Sequence, residues 1–113
     1  MRALEGVTVV AVEQAVAAPF ASARLADAGA RVIKVERPEG DFARGYDDAA
    51  AGQSSYFVWL NRGKESLCLD LTTDAGKAAL DALVAGADVL IRNLKPGALA
   101  RLGFAPSDLR ARH

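Results

Sequence analysis

Cationic and polar residues flank several predicted strands of this chain. Arg37 directly follows one strand, residues 61–64 form a polar turn with two cations, and residues 92–95 follow a later strand. Arg101 lies on the short helix beyond. Because parallel strands present their carboxyl ends at one edge of a sheet, three cation-bearing strand ends there predict a polyanionic ligand. The alternative is a solvated rim with no ligand.

The loop after the first strand, residues 13–18, lies where open α/β sheets bind ligands. It contains no glycine, so it does not fit the Gly-x-Gly-x-x-Gly pattern that cradles a pyrophosphate. Small residues such as Ala15 and Ala17 would let a flat ligand approach the backbone, and a simple packed turn is the alternative. Glu36 is the residue type that favours a free ribose hydroxyl, whereas Arg37 is the type that pairs with a ribose phosphate. An ordinary surface arginine is the alternative interpretation of Arg37.

Several reaction types lack the residues that they need. The chain has one cysteine, Cys68, and one histidine, His113. An internal disulfide, a Cys/His zinc site and catalysis by Ser/His/Asp or Cys/His groups are therefore excluded. We expect Cys68 to be a buried small residue on a strand. The carboxylates predict no catalytic pair, since some lie on predicted helices (Asp27, Asp74, Asp81) and others in a long connection with no base nearby in sequence (Asp41, Asp47, Asp48).

Composition points to a globular chain of one domain or part of one. The sequence has 113 residues, 51% of them hydrophobic and 25% charged, and its 14 basic and 14 acidic residues cancel. This balance predicts neither a nucleic-acid partner nor an anionic membrane surface, and the few aromatic residues are assigned to packing or to an interface. No apolar run approaches the roughly 18 residues of a membrane span, and the first six residues do not resemble a signal peptide. We therefore expect a cytoplasmic protein.

Alternating strand and helix patterns predict an α/β fold with a parallel sheet. Residues 7–12 and 31–35 are short β-branched runs that predict buried strands. Between them a helix is predicted from Pro19, which suits a first helical turn, to about Ala28, with Gly29 as its stop. The result is a β-α-β unit.

A second unit repeats this plan. Residues 66–71 predict a strand, residues 72–74 supply helix-capping side chains, and the helix that follows is expected to end at Gly86. A strand over residues 88–91, a turn at residues 95–97 and two short helices over 98–102 and 106–112 complete the prediction. The connection between the two units, residues 38–64, is long enough that we expect it to be functional or a docking surface.

A set of short motifs resembles the opening of family III CoA-transferases, in order and at the family's spacing. The motifs span nearly the whole chain and are individually weak but jointly specific: residues 4–7, 18–20, 25–36, 40–41, 44, 56–57, 61–64, 69–71, 87–89, 93–97 and 101–104. The same family includes α-methylacyl-CoA racemases and the carnitine and bile-acid CoA-transferases.

The resemblance implies a Rossmann-like parallel sheet with flanking helices, as the N-terminal portion of the family's large domain, with residues 1–113 incomplete. It implies coenzyme A or acyl-CoA as substrate rather than a resident cofactor, a carboxylic acid acceptor, and an interlocked homodimer in the full-length family. The family's CoA site, carried over onto matching positions, lies along the strand ends. Val16 and Ala17 line the thioester end, Arg37 meets the ribose phosphate, Leu69, Asp70, Leu71 and Thr72 flank the adenine and ribose, and Asn93, Leu94, Lys95 and Arg101 complete the contact.

Two departures bear on the phosphates. Well-studied members often have a lysine at the position of Thr72 and a small residue at the position of Lys95. Either difference would change how the phosphates are held, or Lys95 replaces the missing cation. The family's nucleophile is an aspartate, and no aspartate of this chain matches its position. We therefore expect a partial gene product with no turnover by itself.

Three functions remain open from the sequence. The first is the CoA-binding part of a transferase that moves CoA between small carboxylic acids through an aspartyl-CoA intermediate. The second is part of an α-methylacyl-CoA racemase, which uses a His and an Asp instead. The third is a non-catalytic α/β binding module.

Overall fold

The computed structural model describes residues 2–95 and 97–113. Its sheet is built from four parallel strands, β1 (Thr8–Val12), β2 (Arg31–Glu36), β3 (Glu65–Cys68) and β4 (Val89–Arg92), in the order β3-β2-β1-β4. Central strands β1 and β2 are short apolar runs, as expected where a parallel sheet is covered on both faces. The α/β fold with flanking helices predicted from the sequence is confirmed.

Five α-helices surround the sheet: α1 (Ala17–Asp27), α2 (Ser55–Asn61), α3 (Asp74–Ala85), α4 (Ala98–Arg101) and α5 (Pro106–Arg112). Pro19 lies in the first turn of α1, and Gly29 follows the helix with a φ of 105°, which explains the stop. The Thr73 side chain caps α3 by accepting from the Gly76 N–H at 3.0 Å. These helix boundaries agree closely with the sequence pattern. Pro96, in the predicted turn at residues 95–97, lies outside the described residues, as does Met1.

Two apolar clusters fill the two sides of the sheet. On one side, Val9, Ala11 and Val32 pack against Leu25 and Ala26 of α1. On the other side, buried core residues from the strands and helices pack together: Val10, Val12, Val35, Leu80, Leu99 and Phe104. The described part of the chain contains no helix long and apolar enough to span a bilayer.

Two predictions about the second unit are wrong. Strand β3 ends at Cys68, because the chain turns away at residues 69–72 to place Thr73 at the start of α3. Cys68 does lie on a strand but is exposed rather than buried, since β3 is an edge strand with one open side.

The long connection between the two units contains regular structure, a 3₁₀ turn (Phe42–Gly45) and α2, which the sequence pattern did not predict.

Candidate functional site

A cleft of about 360 Å³ opens at the carboxyl ends of β1 and β2. Its walls come from the ends of both strands, the start of the long connection, the turn before α3, and the region after β4, through Val12, Glu13, Gln14, Val35, Glu36, Arg37, Pro38, Glu39, Gly40, Asp41, Leu69, Asp70, Leu71, Thr72, Leu94 and Leu102. In strand order β3-β2-β1-β4 the chain reverses direction of winding beside β1, and this switch point is where open α/β sheets bind ligands.

Arg37 stands at one rim of the cleft and is exposed. Its Nε donates to the Gly40 carbonyl at 3.0 Å, and its guanidinium carbon lies 4.1 Å from the centre of the Phe42 ring. Among the residues that the structure describes, Arg37 pairs with no carboxylate, unlike Arg44, which pairs with Glu36 at 2.7 Å. An arginine oriented by stacking and not engaged in an ion pair with the described residues is suited to receive a phosphate.

The turn at residues 69–72 forms another part of the cleft lining. The Leu69 N–H donates to the Glu36 carbonyl at 2.9 Å, which ties the turn to the end of β2. Asp70 accepts from the hydroxyl and the backbone N–H of Thr72, and these hydrogen bonds lower the pKa of its carboxyl. The wall is therefore fixed on both sides, with Leu69 and Leu71 half-buried in it.

Asn93 joins the end of β4 to the loop after β1. Its Oδ1 accepts from the Gln14 N–H at 2.9 Å and its Nδ2 donates to the Gln14 carbonyl at 2.8 Å. The amide thus satisfies both backbone groups of one loop residue across the switch point. Asn93, assigned by the resemblance to CoA contact, is here a residue that shapes the cleft wall.

The other sequence-predicted residues lie outside the cleft lining. Val16 and Ala17 are exposed at the start of α1, and Lys95 and Arg101 are exposed beyond β4. The structure therefore brings together Arg37, the four residues of the 69–72 turn and Leu94, whereas Val16, Ala17, Asn93, Lys95 and Arg101 do not line the cleft.

One expectation about the cationic rim is wrong. Residues 61–64 precede β3 instead of following a strand, so they do not form a third cation-bearing carboxyl end. Arg62 pairs with Asp27 on α1 at 2.6 Å, and the Lys64 side chain is 2% exposed. Lys64 belongs to a different feature, a cluster of buried charges beneath the loop after β1.

The buried charge cluster consists of Glu13, Lys34, Asp41 and Lys64, each with its side chain no more than 2% exposed. Lys34 Nζ donates to Asp41 Oδ2 at 2.7 Å and to Asn61 Oδ1 at 2.8 Å, and it lies 3.4 Å from Glu13 Oε2. Lys64 Nζ donates to the same Glu13 oxygen at 2.7 Å. Two cations and two anions balance the cluster, as buried charges require.

Hydrogen bonds set the protonation state of the charged groups around Asp41. Burial by itself raises the pKa of Asp41, but hydrogen bonds from Lys34 and from the backbone N–H groups of Ala15 and Ala43 hold that pKa below its ordinary value of 3.8. The bidentate hydrogen bonds from Arg44 lower the pKa of Glu36 from 4.5. Burial lowers the pKa of Lys64 from 10.5. Both carboxylates are therefore ionised near neutral pH.

The loop after β1 has an unusual backbone at Ala15, whose φ is 64°. This left-handed region costs a non-glycine residue on the order of 1–2 kcal/mol, so surrounding contacts must hold it. The Ala15 N–H donates to Asp41 Oδ1 at 2.8 Å, and the preceding Gln14 is held by Asn93. The chain therefore enters α1 through a turn fixed by two distant side chains.

The sequence pattern did not predict that Glu13, Lys34, Asp41 and Lys64 form a cluster. A signal was nevertheless present, because Lys34 lies between Ile33 and Val35 in a strand predicted to be buried. A buried lysine requires an anionic partner, but nothing in the spacing shows that Asp41 folds back to supply one.

A parallel sheet with a cleft at its switch point, lined by Arg37 and by a fixed polar turn, defines an α/β protein of the Rossmann-like class. The model of CoA-transferase family III matches residues 4–113, so the chain belongs to that family.

Known relatives are similar along almost the whole chain. A probable fatty acyl-CoA transferase of Mycobacterium tuberculosis is 42% identical over 113 residues, covering 97% of this chain and 29% of that protein. An acetyl-CoA:oxalate CoA-transferase of Acetobacter aceti is 41% identical over 106 residues, covering 93% and 27%. The crystal structure of a CAIB/BAIF family protein from Brucella suis matches with a TM-score of 0.90 at 40% identity, covering 97% and 30%. The chain thus spans less than a third of the length of each of these relatives.

Proposed function

We propose that this chain forms the CoA-binding, N-terminal portion of the large domain of an acyl-CoA:carboxylate CoA-transferase. The observation that carries the proposal is the cleft at the switch point of a family III fold, which Arg37 and the 69–72 turn both line. Arg37 takes the ribose phosphate, the turn with Leu69, Asp70, Leu71 and Thr72 flanks the adenosine, and Val16 and Ala17 lie toward the thioester. Asn93 shapes this wall, and Leu94, Lys95 and Arg101 border the CoA from the β4 side.

The chemistry proposed for the complete enzyme is an exchange of carboxylates on CoA. An aspartate carboxylate attacks the acyl-CoA thioester and expels the CoA thiolate, giving a mixed anhydride. The thiolate then attacks the aspartyl carbonyl and releases the donor acid, and the acceptor acid reverses these steps. The aspartate is not among the 113 residues, so we expect the chain alone to bind CoA without transferring it.

Transfer is favoured over racemisation by the names of the relatives. The Acetobacter aceti protein is named for transfer between acetyl-CoA and oxalate, and the Mycobacterium tuberculosis protein as a fatty acyl-CoA transferase. We therefore propose a carboxylic acid acceptor. Assembly as an interlocked homodimer and a cytoplasmic location remain predictions from the family resemblance.

Calorimetric titration of the chain with CoA tests the proposal. We expect micromolar binding by the unmodified chain. The Arg37→Ala variant should bind about 10- to 100-fold more weakly, since a charge-assisted hydrogen bond contributes about 1.5–3 kcal/mol. Arg31→Ala is the matched control, because Arg31 is an exposed arginine at the opposite end of the same strand, paired with Glu65. Its affinity should equal that of the unmodified chain.

Titration with dephospho-CoA, which lacks the ribose phosphate, tests whether Arg37 binds that phosphate. If Arg37 holds that phosphate, dephospho-CoA binds the unmodified chain as weakly as CoA binds the Arg37→Ala variant, and combining both changes adds nothing further. Equal losses for Arg31→Ala and Arg37→Ala, or additive losses with dephospho-CoA, would contradict the assignment.

A further inference from the structure

The loop after β1 is held by groups that are far away in sequence. Gln14 lines the cleft, Ala15 has a φ of 64°, and α1 begins two residues later at Ala17. Val16, at the helix N-cap, makes no side-chain capping hydrogen bond. The shape of the loop therefore depends on contacts from elsewhere and not on a helix cap.

Asp41 is fixed on all sides in a way that suits it to hold this loop. Its backbone N–H donates to Glu36 Oε2 at 2.9 Å, and its Oδ2 accepts from Lys34 at 2.7 Å. Its Oδ1 accepts from both Ala43 N–H at 2.9 Å and Ala15 N–H at 2.8 Å. One buried carboxylate thus links the end of β2, the long connection and the loop after β1.

We infer that Asp41 is a positioning residue for the ligand site, holding Ala15 in the left-handed conformation that sets the cleft wall at Gln14 and the entry to α1. The inference deepens the proposed function and rests on it. Asp41 is itself one of the residues that line the cleft, so the residue that positions the loop also forms part of the cleft wall. Lys34 and Glu36 act through Asp41 by fixing its carboxylate and its backbone.

The decisive experiment separates this role from general stabilisation by a rescue. Asp41→Asn weakens the hold on Ala15, and we expect the dissociation constant for CoA to rise about tenfold. Glycine adopts positive φ without steric cost, so Ala15→Gly added to Asp41→Asn should restore the affinity to within about threefold of the unmodified chain. A purely structural loss of the buried charge would not respond to a glycine at position 15, and failure of this rescue overturns the inference.

The chain provides matched controls for both substitutions. Ala51 is also an alanine at positive φ, 55°, but lies in a turn that does not line the cleft. Ala51→Gly added to Asp41→Asn should restore nothing. Asp47 also accepts from two backbone N–H groups, those of Ala49 and Ser55, so Asp47→Asn tests the loss of such a carboxylate elsewhere and should leave CoA affinity unchanged.

A second pair of variants decides the question if Asp41→Asn does not fold. A β-branched side chain is strongly disfavoured at positive φ, so Ala15→Val and Ala51→Val strain two loops while leaving the buried charges intact. We expect similar losses of thermal stability but a weakened affinity for CoA in Ala15→Val alone. Unchanged affinity in a folded Ala15→Val chain overturns the inference.

Hydrogen exchange of the Ala15 amide distinguishes failure of the inference from failure of the proposed function. Absence of CoA binding by the folded, unmodified chain contradicts the proposed function. Ala43→Pro removes another backbone N–H that donates to Asp41. If the Ala15 amide exchanges faster in Ala43→Pro or in Asp41→Asn, the positioning role is supported even when the chain binds no CoA. Unchanged exchange in both variants overturns it.

Discussion

The two faces of the sheet are built on different principles. The face toward α1 combines an apolar cluster around Val9, Ala11 and Val32 with a buried charge cluster, whereas the face toward α3 and α4 buries an apolar cluster that includes Leu80, Leu99 and Phe104. Apolar packing tolerates many arrangements of similar volume, while a hydrogen-bonded charge cluster tolerates few. The cleft lies at the carboxyl edge of the sheet, and the loop after β1 is held there by Asp41 of the charge cluster together with Asn93.

The largest expected effect comes from removing one charge of the cluster. Lys34→Met keeps the length of the side chain but leaves Glu13 and Asp41 with only one cation, Lys64. We expect a loss of about 3–5 kcal/mol in the free energy of unfolding, measured by urea denaturation at pH 7. Arg31→Met, at an exposed pair with Glu65, is the control and should change little. Equal stability of the Lys34 variant and the unmodified chain would show that the cluster is not required.

A substitution that creates a cavity tests the apolar packing on the face toward α3 and α4. Leu80 is fully buried, and Leu80→Ala should lower the free energy of unfolding by about 3 kcal/mol. The two losses should respond differently to acid. Lys34 helps to keep the pKa of Asp41 low, so protonating Asp41 relieves the unpaired charge in Lys34→Met. The stability deficit of Lys34→Met relative to the unmodified chain should therefore shrink as the pH falls, whereas the Leu80→Ala deficit should not. Parallel pH curves for both variants would remove the distinction.

Gly76 lies on α3 and is packed against the backbone of Asp70 in the 69–72 turn, so it joins the helix to the cleft wall. A Cβ at this position would lie within 3.0 Å of the Asp70 carbonyl oxygen and carbon, so Gly76→Ala must displace the 69–72 turn. We expect a loss of about 1–3 kcal/mol in stability, despite alanine's better helix propensity, together with weaker CoA binding in calorimetry. Gly86→Ala is the control, because a Cβ there would meet the Leu83 carbonyl at 3.9 Å, an ordinary contact. Normal CoA affinity in a folded Gly76→Ala chain would contradict a role for the turn in binding.

Apolar periodicity predicted most of the fold. The β-branched runs of β1 and β2 and the spacing of Leu80, Leu83 and Val84 on α3 depend on burial along one element, which the sequence displays directly. The aromatic residues of α2 did not suggest a helix, because its seven residues are too few for a period and its start is set by one Ser54 hydroxyl capping the Phe57 N–H.

The candidate site was predictable only in part. Arg37 was predictable because strand ends in a parallel sheet share an edge, a rule of topology, whereas residues 69–72 entered the predicted site only through the family resemblance. The link between Asp41 and Ala15 was not, since it joins residues 26 positions apart through a loop whose path depends on the folded cluster. Charged contacts of this kind leave no period in the sequence, and only the unexplained lysine within β2 indicated that a partner had to exist.

The smallest expected effect is the acid response of a single carboxylate on the charged face. The pKa of Glu36 is lowered chiefly by hydrogen bonds from Arg44, so at mildly acidic pH the unfolded chain takes up this proton before the folded chain does. The stabilisation is complete above the ordinary value of 4.5 and is lost as the pH falls through the lowered value in the folded state. Glu36→Gln should therefore flatten the decline of the urea midpoint below pH 4.5, whereas Glu39→Gln, at an exposed neighbour, should leave the curve unchanged. An unaltered slope in Glu36→Gln would mean that the acid sensitivity arises elsewhere, with Asp41 as the next carboxylate to test.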